Sequence, residues 1–300
     1  TYATTSSSSA RWKTRQTSDP YTRASKLSGL KSRAAFKLLE IDAKHHLFTP
    51  GATVVDLGYA PGSWSQVAIS KTQPGGRVVG IDVIPAQPPR GVSTLQGDFL
   101  SEGIREEVRK FVVDEGLGRG RGRSGGMGGD GEGLTVEELE EEGRGVIERA
   151  EGEPGERGEQ AGRLSGQKAL DRAEGRVVNV VLSDMSEPWP QTASMWIKSV
   201  SNPYRRMMNT SGMPFRDHAG SMDLCNAALT FCYDTLVTGG HFLCKFYQGA
   251  EDHAFELRLK KLFEKVHRIK PDSSRKESKE AYFLGLRRRA GVRREDVLGE

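Results

Sequence analysis

The sequence predicts an α/β fold: a seven-stranded, mostly parallel sheet with helices on both faces, and a late antiparallel pair. Three observations point there. Short apolar runs alternate with helix-forming stretches along most of the chain. One segment, VVDLGYAPGSWSQ (Val54 to Gln66), reads as buried strand, glycine turn and helix N-terminus. Four acids, Asp56, Asp82, Asp98 and Asp184, fall at or near the carboxyl ends of predicted strands, where such sheets bind ligands.

Taken in order, residues 1–30 read as an extended or loosely structured basic arm. Between Thr1 and Lys37 there are eight bases and one acid. SRAAFKLLEIDAKHH places Phe36, Leu38, Leu39 and Ile41 on helical spacing and predicts a helix from about Ser32 to His45. Pro50–Gly51 is a turn, and Thr53–Leu57 the first strand. A helix follows Gly62 through Trp64 and Val67 to about Lys71. Pro74 to Arg77 turns the chain into a second strand, Val78 to Asp82. A short strand at Thr94–Gln96 ends near Asp98. SEGIREEVRKFVVDE then forms an amphipathic helix, with Ile104, Val108, Phe111 and Val112 on one side.

Residues 116–176 break the pattern. They hold 18 of the 36 glycines, 14 acids and 10 bases, so they read as a disordered Gly/Glu/Arg-rich insertion. A short helix is predicted at Thr135–Glu142, and GRGRGR at Gly118 to Arg123 is a candidate RNA contact. Val177 to Met185 restores a buried strand that contains Asp184. Ser186 to Gly220 is irregular, with four prolines and two tryptophans among Lys198, Arg205, Arg206 and Arg216. Aromatics interleaved with bases suit stacking on unpaired bases and phosphate contact, or simply a loop packing its own tryptophans. Ser221–Leu236 is a helix closed by Thr238–Gly240, His241 to Gly249 a strand, and Ala254–Phe263 a helix. KVHRIKP is a strand, DSSRKES a loop and KEAYFLGLRR the last strand. The folded body spans 31–289, interrupted by this insertion, and 290–300 is a polar, frayed tail.

The insertion carries a net charge of −4, from its 14 acids and 10 bases, so the remainder of a +4 chain is about +8. A basic body suits a polyanion such as nucleic acid, although basic solubility alone would produce the same sum. Cys225, Cys232 and Cys244 form no C-x-x-C pair, which argues for a reducing compartment and against a zinc site; no metal ligand set is assigned. No apolar run reaches membrane-spanning length. TYATTSSSSARWKTRQTS is rich in Ser and Thr and free of acids. It reads as the end of an organellar targeting segment, or as a basic RNA-gripping arm.

The glycine turn is the first chemical clue. Gly58 and Gly62 are four apart with Pro61 between them, which is not the spacing of a dinucleotide-binding turn. D-L-G-x-x-P-G suits a phosphate-free ligand, with S-adenosylmethionine the leading candidate and an unliganded turn the bland alternative. Lys245 is the second clue. A lysine within His-Phe-Leu-Cys-Lys-Phe-Tyr is costly unless paired. Lys37 on the first helix and Glu280 on the last strand could join Lys245 and Asp184 as two lysine–acid pairs, or form two separate salt bridges.

These pieces together resemble the FtsJ/RrmJ-type family of RNA 2′-O-ribose methyltransferases. The likeness covers Leu27–Phe111 and Val177–Arg288. It is carried by KSRAAFKLLEID, VVDLGYAPGSWSQ, QGDF, LSDM, KFYQG and PDSSRKESKEAY. It implies a Rossmann-like class I S-adenosylmethionine-dependent methyltransferase fold. It places the family's Lys-Asp-Lys-Glu tetrad on Lys37, Asp184, Lys245 and Glu280. Cofactor positions fall on Asp56, Gly58, Pro61, Gly62, Trp64, Asp82, Asp98 and Asp184. Asp82 is expected to hold the cofactor ribose, Asp98 the adenine amine, and Trp64 to wall the site.

The basic arm and GLKSRAAFKLLEID look most like the mitochondrial branch. The resemblance therefore implies a monomer acting in the mitochondrial matrix on a uridine of large-subunit ribosomal RNA, free or within a subunit or its precursor. Other substrates of the same chemistry are tRNA anticodon riboses and mRNA caps, and a non-catalytic assembly role is the alternative of another class. Lys245 is the candidate base, which requires its pKa to fall towards neutrality, with burial and Lys37 pushing it down and Asp184 opposing, or else a cation beside the developing alkoxide; the letters leave both roles open. Two departures stand out. The usual A-A-P-G-G-W is here Y-A-P-G-S-W, with Tyr59 and Ser63. The usual asparagine-bearing segment after S-D-M-A-P is replaced by Ser186-Glu-Pro-Trp.

Overall fold

The computed structural model describes residues 19–114, 117, 166–187, 189, 190, 207, 208, 210–275 and 277–299. Arm residues 1–18, the GRGRGR run, the helix expected at Thr135–Glu142, and most of the aromatic and basic segment after Glu187 lie outside them. The elements are α1 (Pro20–Leu27), α2 (Ala34–His45), β1 (Thr53–Leu57), α3 (Ser63–Lys71), β2 (Arg77–Asp82), β3 (Val92–Gln96) and α4 (Glu102–Val113). They continue with β4 (Val178–Ser183), the two-residue strands β5 (Trp189–Pro190) and β6 (Met207–Met208), α5 (Pro214–Thr235) and β7 (Leu236–Tyr247). The last are α6 (Asp252–Leu262), β8 (Phe263–Ile269), β9 (Glu280–Arg288) and α7 (Arg294–Leu298).

The main sheet has seven strands in the order β3-β2-β1-β4-β7-β9-β8. Strands β3, β2, β1, β4 and β7 pair in parallel, and β9 runs antiparallel to both neighbours. This is the Rossmann-like class I methyltransferase architecture. The central strands are buried on both faces, so they read as continuous apolar runs. Val54, Val78, Val180 and Leu182 pack under Leu38 and Ile41 of α2 and Trp64 and Val67 of α3. Val55, Leu57, Val79 and Ile81 face α4 and α5 through Val108, Val112, Leu229 and Phe231. Strand order reverses between β1 and β4, and the crevice beyond their carboxyl ends is where such sheets take ligands.

Five expectations change. The arm is not loose from residue 20 on: Asp19 caps α1 by accepting from the Tyr21 and Thr22 amides, and it is ion-paired to Arg33 and Arg275. The insertion is shorter than expected at its far end. Residues 166–173 are helical, and buried Asp171 accepts hydrogen bonds from the Thr238 amide and hydroxyl. Helix α5 begins at Pro214, seven residues before the expected start, because proline is well placed in a first turn, where its missing N–H costs nothing. Thr238–Gly240 is not a turn but part of β7. Gly239 takes φ 82°, and a Cβ on Gly240 would lie 2.8 Å from the Asn179 carbonyl oxygen, beside a register shift between Val178 and Val180. The tail also forms α7, with Val297 buried. Among the described residues, no helix is long and apolar enough to cross a membrane.

Candidate active site

The turn after β1 is shaped by two glycines. Gly58 has φ 77°, and a Cβ there would sit 2.8 Å from the Met185 backbone. Gly62 has φ 100° and opens α3; a Cβ on it would meet Pro89 at 2.8 Å. Both positions combine a left-handed backbone with a close approach, so both require glycine. A small cleft lies against this turn, lined by Ala34, Gly58, Tyr59, Ala60, Pro61, Ser63, Trp64 and Asp184. The lining contains no basic side chain, which disfavours phosphate as guest.

The carboxylates around the cleft differ sharply. Asp82 ties the turn to the chain after β2: its two oxygens accept from the Ala60 and Ile84 amides, each at 2.9 Å. Burial raises its pKa against those bonds. Asp98 is exposed beyond β3 and accepts from the Leu100 amide. Asp56 is fully buried beneath the turn. Its Oδ2 accepts from the Ser65 hydroxyl at 2.5 Å, while Oδ1 has no partner among the described residues. Burial, against the Ser65 bond and with help from Asp184 and Asp82, pushes Asp56 up to about 7. Trp64 is almost wholly buried; its indole N–H donates to the Ala34 carbonyl, and its ring lies 5.7 Å from Tyr282. It walls the cleft from below. Tyr59, a departure from the usual motif, folds inward over Gly80 and donates its hydroxyl to the Ala86 carbonyl at 2.7 Å.

The four candidate reactive residues converge from four elements. Lys37 of α2 reaches Glu280 of β9 at 2.5 Å, and Lys245 of β7 lies 3.3 Å from Oδ1 of Asp184, just past β4. Strand pairing enforces this: Tyr247 stands opposite Glu280, and Lys245 opposite Tyr282. The pairs are one cluster, not two separate bridges. The buried Tyr282 hydroxyl donates towards Glu280 at 3.0 Å and Asp184 at 3.3 Å. Lys37 also lies 5.8 Å from the Tyr282 ring centre.

The electrostatics bear on the two roles open to Lys245. Burial does draw Lys245 down, but Asp184 and Glu280 outweigh it and hold the lysine above its ordinary value. Lys245 therefore rests as an ammonium. Glu280 is the mirror case: burial pushes it up, and Lys37 and Lys245 hold it low. Burial and the two carboxylates drive Tyr282 far above the usual tyrosine range, so it stays a donor.

Two contacts had escaped the sequence reading. Tyr282 follows Glu280 by two, which in a strand puts both on one face. Ser186 accepts from Lys245 Nζ at 2.5 Å, and the only hint was that a serine stands two residues after Asp184.

The site fits S-adenosylmethionine on its own terms. A lining whose charged side chain is Asp184, with Asp82 and Asp98 at neighbouring strand ends and, among the described residues, no cation in the lining, suits a positively charged, hydroxyl-bearing, phosphate-free guest. Fold and site together define a class I S-adenosylmethionine-dependent methyltransferase. Comparison with known proteins narrows the class. The model of the FtsJ-like methyltransferase family matches residues 30–288, and the chain belongs to that family. It is 39% identical over 295 residues to the mitochondrial rRNA methyltransferase 2 of Saccharomyces cerevisiae, covering 97% of this chain and 91% of the yeast protein. It is 34% identical to the ribosomal RNA large subunit methyltransferase E of Thiobacillus denitrificans, covering 93% of this chain and 90% of that one. It is 32% identical to the mitochondrial rRNA methyltransferase 2 of Schizosaccharomyces pombe, covering 93% and 95%.

Proposed function

We propose that this chain methylates the ribose 2′-hydroxyl of a uridine in mitochondrial large-subunit ribosomal RNA, using the Lys37–Asp184–Lys245–Glu280 tetrad. The observation that carries the reading is the single cluster of two lysine–carboxylate pairs, joined by the Tyr282 hydroxyl and reaching the donor cleft through Asp184. The substrate and compartment are supported by what the two yeast proteins and the bacterial one are named for.

The bound donor supplies an electrophilic methyl carbon on a cationic sulfur. Asp82 would hold its ribose hydroxyls, Asp98 its adenine amine, and the Gly58–Gly62 turn would line it with backbone. Lys245 acts as an ammonium against the negative charge growing on the ribose 2′-oxygen, because that is its resting state and its N–H groups are already fixed by Asp184 and Ser186. The hydroxyl proton passes to the partly exposed Asp184 carboxylate ahead of carbon bonding, so the oxygen carries negative charge beside Lys245 as the methyl–oxygen bond forms, the methyl–sulfur bond breaks and the sulfur leaves uncharged. Glu280 already accepts from Lys37, Tyr282 and Ser274, so it orients the cluster and takes no proton.

Two measurements test this. Lys245→Ala is expected to lower kcat roughly 10²–10³-fold with donor affinity nearly unchanged. A fixed cation leaves wild-type kcat flat from about pH 7 to pH 9. A base released from a high pKa would instead give about a tenfold rise per unit, and that slope would reject the cationic role.

A further inference from the structure

We infer that Ser186 is a positioning residue for methyl transfer, holding the Lys245 ammonium charged and aimed. The inference rests on the catalytic role proposed for Lys245. An ammonium has three N–H bonds and no acceptor capacity. At Lys245 two N–H bonds are taken, by the Asp184 carbonyl at 2.7 Å and the Ser186 hydroxyl oxygen at 2.5 Å, and the Asp184 carboxylate stands at 3.3 Å as its ion-pair partner. Two of these come from one residue at the end of β4. Only Ser186 supplies an independent direction, and it fixes rotation about the Cε–Nζ bond.

The surroundings make that acceptor matter. Lys245 is buried, so a lost hydrogen bond is not replaced freely by water. Every packed element presents a charged or titratable group. Asp184 stands after β4 and Asp82 at the end of β2. Glu280 and Tyr282 lie on β9, Tyr247 on β7 itself, and Lys37 of α2 is bound to Glu280. The Cys225 thiol of α5 donates to the Lys245 carbonyl and holds the backbone, not the amine. Ser186 is neutral. It therefore strengthens the ammonium without adding negative charge that would repel the growing 2′-oxyanion.

The sign follows directly. An oxygen that accepts from the charged form favours that form, so its removal lowers the lysine's pKa. A hydrogen bond to a charged group corresponds to a shift of about one pH unit.

Ser186→Ala and Ser186→Thr test the idea in the full-length chain. The titration of Lys245 is read by the pH dependence of its acetylation with acetic anhydride, quantified by peptide mass spectrometry, alongside kcat and KM. In Ser186→Ala the acetylation midpoint is expected to fall by about one unit. Its kcat relative to wild type, already several-fold reduced at about pH 7, should decline further by about pH 9.5, with KM for RNA little changed. Ser186→Thr, which keeps the hydroxyl, should restore both. An unmoved midpoint with a constant activity ratio across that range overturns the role of Ser186, even where Lys245→Ala is inactive. Full activity in Lys245→Ala would instead remove the catalytic reading itself.

Discussion

Asp56 shows what one buried residue does to the free energy of the whole chain. Its folded pKa of about 7 lies above its ordinary value of 3.8, so the native state keeps a proton that the unfolded state releases. Stability from this group is therefore greatest at low pH, falls as pH rises between those two values, and is level above the higher one. Asp56→Asn does not titrate and keeps the bond to Ser65. Calorimetry without cofactor should show the variant gaining on wild type from near zero at about pH 4 to at most about 4 kcal/mol at about pH 8. A pH-independent difference would mean that Asp56 is ionised throughout. Lys37→Ala belongs to the same scale. It removes the cation bound to the largely buried Glu280 carboxylate, which keeps its bonds to Tyr282 and Ser274, and a cost of about 1.5–3 kcal/mol in chemical denaturation is expected, with Lys37→Arg milder. At this scale the sequence was most informative about charge. A lysine in an apolar strand and acids at strand ends are visible as letters, because burying them needs a reason. Tyr282 and Ser186 were silent, since a tyrosine or serine in those positions costs nothing by itself. The letters leave the protonation state of Lys245 open because it depends on which of burial, Lys37, Asp184 and Glu280 wins. That needs distances.

Among the elements, β9 does the most to assemble the site. It carries Glu280 and Tyr282 at one end, and its reversed direction brings them opposite Tyr247 and Lys245. Gly285 lies in its middle, where a Cβ would come within 2.5 Å of the Phe263 ring. Gly285→Ala should therefore cost about 1–3 kcal/mol of stability and should shift the midpoint of thermal unfolding downwards. An unchanged midpoint would show that β8 can move aside. The strands were legible because the central ones are apolar throughout and the turns carry Gly and Pro. The start of α5 was not. PFRDHAG offers a proline, a glycine and no apolar stripe, and that first stretch is held instead by tertiary contacts. His218 bonds the Tyr247 carbonyl, and Asp217 accepts from Ser211. Likewise Thr238–Gly240 looked like punctuation, but its glycines serve close packing inside a strand. Helix α1 was missed because its stability comes from Asp19 and two arginines distant in sequence, Arg33 and Arg275.

At the scale of the molecule, the chain divides its chemistry between two ends of the sequence. The glycine turn lines the proposed donor cleft, with the acids from residues 56 to 98 around it. The proposed reacting cluster is closed by β7 and β9, more than a hundred residues further on, and by Lys37 from α2. The sheet makes these neighbours because β4 and β7 continue it on the far side of the switch point from β2 and β3. The alternation of strands and helices made that layout readable from the letters, whereas the identity of the RNA was not, since no single residue of the cleft names a base. The central claim is methyl transfer to a ribose 2′-oxygen by a cluster built around Lys245. It is tested most directly by incubating the wild-type chain and Lys245→Ala with labelled S-adenosylmethionine and mitochondrial large-subunit RNA. The modified position is then mapped by its resistance to alkaline hydrolysis. One resistant uridine with wild type and none with Lys245→Ala is the predicted result. Label on a base, or equal transfer by the variant, would contradict it.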